Sequence, residues 1–519
     1  VGVGQPSTAY EPRRAADSVI YQVVRDHYET FAAQALSFRN GQGLPKFIDE
    51  EFRGFLRCGW LAGGFARFRC EACRLDRLVP FSCKSRAVCP SCGGRRMAER
   101  AAHLVDHVFP AVPVRQWVLT VPHRIRYMAA WDHDLCRAVV GVFMRAVLKW
   151  LRRRARVEQG IANGRSGAVA IIQRFGAALN VNVHTHALVL DGVFSDDGTG
   201  TLVFHPALPP DNEALDELLA TIARRIERLL IRRGVWSEHA ESTAVDPWAE
   251  EAPGLAGLAA ASVQGRLALG PRAGGDVRRC GNLPDEPPLP AVRGPCHVAQ
   301  GGFDLDAGVV VPANDRSRLE RVCRYALRPP IVHDRIRLTS EGDVLLELRH
   351  RWRDGTTHLR FHPLELLERL ASLTPRPRIN LVLYHGVLAA HATWRPRLPG
   401  PRQSGGLAPP SGTRSVLDAA AGEATAMAFV ASLPVDAAGR AGPNRLWAQL
   451  MQRTFGFDVL QCPRCGGRLR LLAVIDEGAV ARRILQHLGL PTEVPAPRPA
   501  RAPPVTVGTR HVEFDLDAP

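Results

Sequence analysis

Lysine is almost missing from this chain: of its 67 basic residues only Lys46, Lys84 and Lys149 are lysines, so nearly all positive charge sits on arginine. That bias is as much a mark of GC-rich coding as of phosphate recognition, so the sum of charge carries more information than its type. No window holds the roughly 18 consecutive apolar residues that a membrane-spanning helix needs. The opening stretch VGVGQPSTAYEPRR has no charged, apolar and small-residue succession of the kind that marks a signal peptide, which predicts a cytoplasmic protein. A reducing compartment excludes a disulfide framework for the twelve cysteines and favours thiolate metal ligation. The Walker pattern G-x-x-x-x-G-K-[ST] does not occur in this sequence, which weighs against a replication initiator or relaxase with a fused helicase, and no internal repeat marks a solenoid.

What is present is a chain of 519 residues, enough for about three or four domains at roughly 150 residues each. Its net charge of +16 points to a polyanionic partner, with DNA or RNA first among them. Periodicity predicts helices over 17–57, broken near GQG at 41–43, and over 130–157, 211–234, 317–328 and 363–372. Strands are expected at 114–121, 168–174 and 181–190, with a hairpin at 335–349. Residues 236–310 are rich in Gly, Pro and Ala with little periodicity, and read as an irregular insertion with few core contacts. The resulting domain scheme has a disordered N-terminus (1–16), a helical and zinc-binding module (17–110), and a central domain (111–393). A Pro/Gly-rich linker (394–424), a small C-terminal unit (425–490) and a disordered tail (491–519) complete it.

Six cysteines fall between Cys58 and Cys92. Within them Cys70-x2-Cys73 and Cys89-x2-Cys92 are spaced as two knuckles able to set four thiolates around one structural Zn²⁺ at about 2.3 Å. Cys58 and Cys83 are surplus and leave open a second metal or an exchange of ligands. From Phe52 to Arg100 there are eleven basic residues against Glu71, Asp76 and Glu99, a balance suited to DNA phosphates. A lone knuckle at 462–468, CPRCGGR, holds Cys462 and Cys465, two thiolates that do not complete a site by themselves.

In LNVNVHTHALVLDGVF the β alternation puts His184 and His186 on one strand face and Thr185 on the other, so the two imidazoles can chelate one divalent cation. Gln173 and Asn182 are the polar residues near that face and stand as candidates for a third ligand. On the helix near 317, Leu319, Val322, Cys323, Ala326 and Leu327 form the apolar stripe, and Ser317-x-x-Glu320 reads as its capping box. Tyr325 lies off the stripe beside Arg318, Arg321 and Arg328. Guanidiniums there would bind a phosphodiester and lower the cost of a phenolate.

These motifs, taken in order with VRQWVLTVPHRIRY at 114–127, QRFGAALNVNVHTH at 173–186, CRYALRPPI at 323–331, WRDGTTH at 352–358 and LVLYHGVLA at 381–389, resemble the rolling-circle transposases of the insertion-sequence-ninety-one family. That family belongs to the His-hydrophobic-His (HUH) tyrosine nucleases. The resemblance implies an α+β fold, an antiparallel-sheet nuclease domain with flanking helices, preceded by the zinc module. It implies His184 and His186 as ligands of Mg²⁺ or Mn²⁺, Tyr325 as the nucleophile, and a bacterial, nucleoid-associated enzyme that nicks and rejoins single-stranded transposon ends through a 5′-phosphotyrosine. Members with two tyrosines carry them four residues apart, whereas the earlier position here is Arg321, which favours a single-tyrosine scheme. A replication initiator or relaxase with the same chemistry, and a non-catalytic zinc-dependent DNA-binding protein, are the competing readings. A Mn²⁺-dependent nicking assay separates the last of these from the enzymes.

Overall fold

A computed structural model describes residues 15–38, 42–236, 246–281, 294–400, 450–453 and 458–501. The expected N-terminal disorder, most of the linker and the end of the tail lie outside the described residues. The chain opens with helices α1 (Val19–Ser37) and α2 (Lys46–Leu56), strands β1 (Phe65–Cys70) and β2 (Asp76–Pro80), and helix α3 (Pro90–His103). There follow β3 (Val114–Thr120), α4 (His123–Trp131), α5 (His133–Gln159), β4 (Gly167–Phe175), β5 (Val181–Leu190), β6 (Gly192–Asp196) and β7 (Leu202–Pro206). Next come α6 (Asn212–Arg232), α7 (Pro247–Glu251), α8 (Pro253–Val263), β8 (Arg278–Gly281), β9 (His297–Gln300), β10 (Phe303–Val311) and α9 (Arg316–Leu327). The remainder is β11 (Ile336–Leu338), β12 (Val344–Glu347), β13 (Thr356–Phe361), α10 (Pro363–Leu373), β14 (Val382–Gly386), β15 (Leu469–Ile475) and α11 (Gly478–His487).

Among the described residues these elements form two compact units, one drawn from 22–53, 85–400 and 497–501, the other from 15–21, 54–84 and 450–496. The architecture is α+β, as the sequence predicts. The large unit is built on a six-stranded antiparallel sheet in the order β14-β4-β5-β3-β10-β9. A four-stranded sheet, β11-β12-β13-β8, and the β6–β7 hairpin accompany it. In the small unit β15, β1 and β2 make a three-stranded antiparallel sheet. The C-terminal segment is therefore not the separate unit that its linker suggests, because β15 finds its partner strand in β1.

Strands β4 and β5 are buried along almost their whole length, which explains their near-continuous apolar composition. One face of the sheet, carrying Val169, Ile171, Leu188 and Leu190, packs with Leu319, Cys323 and Ala326 of α9 and with Ala101, Leu104, Val105 and Val108. On the opposite face Trp117 of β3 meets Trp150 of α5, their ring centroids 5.7 Å apart. The sheet thus has helices on both sides.

The described residues within 236–310 are not an insertion with few core contacts. All eleven residues of α8 are buried, and β10 pairs with β3 inside the central sheet. The sequence GLAGLAAASV shows no amphipathic period because it is apolar or small all round, the pattern of a helix with no solvent face. The long helix expected from 130 divides at Asp132, whose side chain caps α5 by accepting from the Leu135 N–H.

One buried ion pair fixes β3 against the end of β5. Arg115 donates from Nε and Nη2 to the two carboxylate oxygens of Asp191, each at 2.9 Å, and from Nη1 to the Ala307 carbonyl at 2.9 Å. Both side chains are nearly inaccessible. Asp191→Ala leaves a buried guanidinium unpaired and should lower unfolding stability by about 3–5 kcal/mol. Urea denaturation of the variant against the parent measures this, and a loss under about 1 kcal/mol would mean that water or another carboxylate rescues Arg115.

Candidate active site

Strand β5 places the histidine pair. Its register sets His184 opposite Thr120 of β3 and Gln173 of β4, and His186 opposite Val118 and Ile171. Residues directly opposite in an antiparallel pair share a face, so His184, His186, Gln173 and Gln116 all lie on the face that α9 covers. Thr185 is buried on the other side.

The two imidazoles converge, with Nε2 to Nε2 3.1 Å. Two nitrogens each about 2.1 Å from a shared cation, at roughly right angles, stand about 3 Å apart, so this spacing suits divalent-metal chelation. Burial holds both rings neutral: it pushes His184 down to about 4, with Arg328 and Arg126 adding to the effect, and pushes His186 well below its ordinary value, with His184 and Arg328 adding.

Outer partners fix the tautomer of His184 and bear on that of His186. His184 Nδ1–H donates to the Asn182 carbonyl at 2.8 Å, which leaves its Nε2 with a free lone pair. His186 Nδ1 lies 2.6 Å from the Gln116 amide. With the Gln116 NH2 donating, His186 keeps a proton on Nε2 and shares it with His184. With the amide turned so that its oxygen accepts from Nδ1–H, His186 Nε2 is also free to ligate.

Among the described residues no carboxylate, cysteine or further histidine joins the pair as a third metal donor. Two amide oxygens remain. Gln173 Oε1 and Asn182 Oδ1 are buried without a hydrogen-bond partner. Gln173 spends its NH2 on α9, donating to the carbonyls of Tyr325 at 3.1 Å and Ala326 at 2.7 Å. Two neutral imidazoles and an orphaned amide oxygen fit a divalent cation of hard or borderline character.

Helix α9 starts one residue earlier than the sequence suggests. Its cap is Asp315, which accepts from the Arg318 N–H at 2.8 Å, and Glu320 instead binds Arg324. Asp takes the role because it stands directly before the first helical residue, a place that Ser317 does not hold. Arg316 is buried and donates to the carbonyls of Val105, Phe109 and Pro110, anchoring this end. The far end carries Tyr325, 38% exposed, its ring centroid 5.7 Å from that of His186 and perpendicular to it.

Arginines frame that phenol. The Arg328 guanidinium carbon lies 4.1 Å from the Tyr325 ring centroid and that of Arg349 5.0 Å. Arg318 and Arg321 are exposed on the same helix. Arg349 and Gln116 escaped the sequence reading. A glutamine inside the apolar strand VRQWVLTV and the basic run RHRWR at 349–353 were the available signals.

The cysteine quartet expected at Cys70, Cys73, Cys89 and Cys92 is corrected. Cys70 and Cys73 share their group with Cys462 and Cys465, all four sulfurs lying within 4.8 Å of one another. Pairing of β1 with β15 brings the distant knuckle in, a contact that spacing within the N-terminal cluster cannot reveal. Cys89 is the N-cap of α3, its sulfur accepting from the Cys92 N–H. Much of the local basic surplus is used internally: Arg67 and Arg69 hold Asp76, Arg95 holds Glu99, and Arg86 donates to the Arg376 and Ile379 carbonyls.

Sequence comparison places the chain among the transposases. A family model described as "Transposase zinc-binding domain" matches residues 23–121, and one described as "Putative transposase" matches residues 167–395, which include His184, His186 and Tyr325. The chain belongs to the insertion-sequence-ninety-one family of transposases, with an N-terminal zinc-binding domain. No curated protein and no solved structure matches it. No helix among the described residues is long and apolar enough to cross a membrane.

Gln173→Leu keeps the side-chain volume but removes both donors to the last turn of α9. Hydrogen–deuterium exchange of peptides covering 322–328 should then quicken about ten-fold, as expected for loss of two bonds each worth about 0.5–1.5 kcal/mol, while the Asp315-capped end stays protected. Unchanged exchange would show that packing alone holds the helix.

Proposed function

We propose that this transposase nicks and rejoins single-stranded DNA at transposon ends, with Tyr325 as the nucleophile and His184 and His186 as ligands of Mg²⁺ or Mn²⁺. The observation that carries the reading is the convergence of two neutral imidazole Nε2 atoms, 3.1 Å apart, beneath an exposed tyrosine framed by Arg328 and Arg349. Gln173 Oε1 is the third protein ligand in this reading.

Arg328 and Arg349, with Arg318 and Arg321 further along α9, bind the DNA backbone and orient the scissile phosphate. The cation, when bound, neutralises charge on the non-bridging phosphate oxygens. Tyr325 Oη attacks phosphorus in line and the bond to the 3′ oxygen breaks. The phenol proton is lost and the departing oxygen gains one, leaving a 5′-phosphotyrosine and a free 3′-OH. The ester retains the phosphodiester energy, so attack by a 3′-OH reseals the strand without ATP. An unpaired strand is the substrate because its phosphate can be presented in line and its bases read singly. With Arg321 one turn before Tyr325, a single nucleophile serves each cleavage, consistent with rolling-circle transfer that runs in sequential steps.

Incubating Tyr325→Phe with end-labelled single-stranded DNA from the element's terminus should give no protein–DNA adduct on a denaturing gel. An adduct that persists there and vanishes in Tyr384→Phe would name the other tyrosine. His184→Ala and His186→Ala should each lower cleavage at least a hundred-fold while DNA affinity changes less than about three-fold, since arginine–phosphate contacts supply most binding. Cleavage that survives EDTA would end the metal reading.

A further inference from the structure

We propose that Cys70, Cys73, Cys462 and Cys465 form one tetrathiolate zinc site, so that the zinc-binding domain is completed by a segment near the other end of the chain. Cys462 and Cys465 lie outside both family matches. The inference does not depend on the nuclease reading.

The sulfur geometry is that of a shared centre. Cys70 Sγ lies 3.5 Å from Cys465 Sγ, and Cys73 Sγ 3.7 Å from Cys462 Sγ. A tetrahedral Zn²⁺ at about 2.3 Å from each sulfur sets neighbouring sulfurs about 3.8 Å apart. Disulfides would need about 2.05 Å and would join sulfurs only two by two, whereas here all four lie within 4.8 Å of one another.

Both knuckles have the same backbone. Arg74 N–H donates to the Cys70 carbonyl at 3.0 Å, and Gly466 N–H donates to the Cys462 carbonyl at 2.9 Å. The residue after each second cysteine is left-handed, with φ of 57° at Arg74 and 74° at Gly466. Arg74 holds a conformation that a non-glycine residue adopts at a cost, which a metal-tethered turn offsets. Gly467 leaves room for the sulfurs: a Cβ there would stand 3.3 Å from both Cys465 Sγ and Cys70 Sγ.

Strand pairing carries the two knuckles together. Along β1 and β15 the register runs from Phe65 opposite Ile475 to Cys70 opposite Leu469, so each strand delivers a knuckle at the same end of the ladder. Ligands 389 and 395 residues apart in sequence thus meet on a three-stranded sheet. Among the described residues its two apolar clusters bury Ala66, Phe68, Cys70, Cys462 and Leu469 on one side, and Phe65, Ile475, Ala481 and Leu485 on the other, with partly buried residues such as Phe81 and Leu471, and Leu61 and Ile484, packed against them. So small a core ordinarily needs a metal or a disulfide.

Zinc per chain, measured by plasma mass spectrometry on the full-length protein, tests the assignment. Cys70→Ser, Cys462→Ser and Cys465→Ser should each lose one zinc relative to the parent, and Cys70→Ser/Cys462→Ser should lose no more than one. Full zinc in Cys462→Ser and Cys465→Ser, or loss of two in the double variant, would overturn the site. Cys465→His guards against misfolding, since imidazole can replace a thiolate ligand. Loaded with Co²⁺, it should stay folded with a weaker thiolate-to-metal charge-transfer band than the parent. An unchanged band, or a Cys70–Cys465 disulfide found by peptide mass mapping, would likewise refute the proposal.

Discussion

Helix α9 is tied to the central sheet at three places along one side. Arg316 at its start donates into the carbonyls of Val105, Phe109 and Pro110, Leu319 and Cys323 pack into the core beside Ile171 and Leu188, and Gln173 bonds the carbonyls of its last turn. Every relation between the tyrosine and the histidines descends from this docking. The pair sits on a buried strand that cannot shift register without moving its apolar side chains to the wrong face. Tyr325 sits on a helix whose rotation is fixed by the stripe on its underside. A rotation of one residue, about 100°, would turn the phenol away from His186.

The same docking sets the electrostatics. Burial strips the imidazoles of charge, while the arginines around Tyr325 remain toward solvent where a polyanion can reach them. The site thus separates a dry floor of nitrogen and amide oxygen from a charged rim. A chain with so few lysines builds that rim from planar guanidiniums, two of which lie within 5.0 Å of the tyrosine ring centroid. Guanidinium carbons that close to a ring add cation–π attraction to charge and steady the phenol while it is unliganded.

Local periodicity made much of this legible. Strand β5 runs from Val181 to Leu190, the bounds that alternation predicts, and Leu319, Cys323 and Ala326 fall on the buried side of α9. The chemistry-bearing residues could be named because their types are costly to place on a buried face. Signals that depend on distant partners stayed hidden. Helix α8 lacks a period because it lacks a solvent face, and no local pattern says that β15 will pair with β1. Gln116 reads as an anomaly in an apolar strand until His186 is set beside it two strands' width of sequence later.

The antiparallel pairing of β1 with β15 also bears on the order in which the protein is made. Domains tend to fold as they leave the ribosome, N-terminal parts first. Here residues 54–84 emerge early but lack a neighbouring strand and two of the cysteines grouped with Cys70 and Cys73 until residues 458–475 have been synthesised. The residues of the large unit between 85 and 400 are complete before then. The earliest-made hairpin is therefore among the last pieces to mature, and a truncated translation product that carries the whole histidine–tyrosine centre would still lack a finished cysteine module.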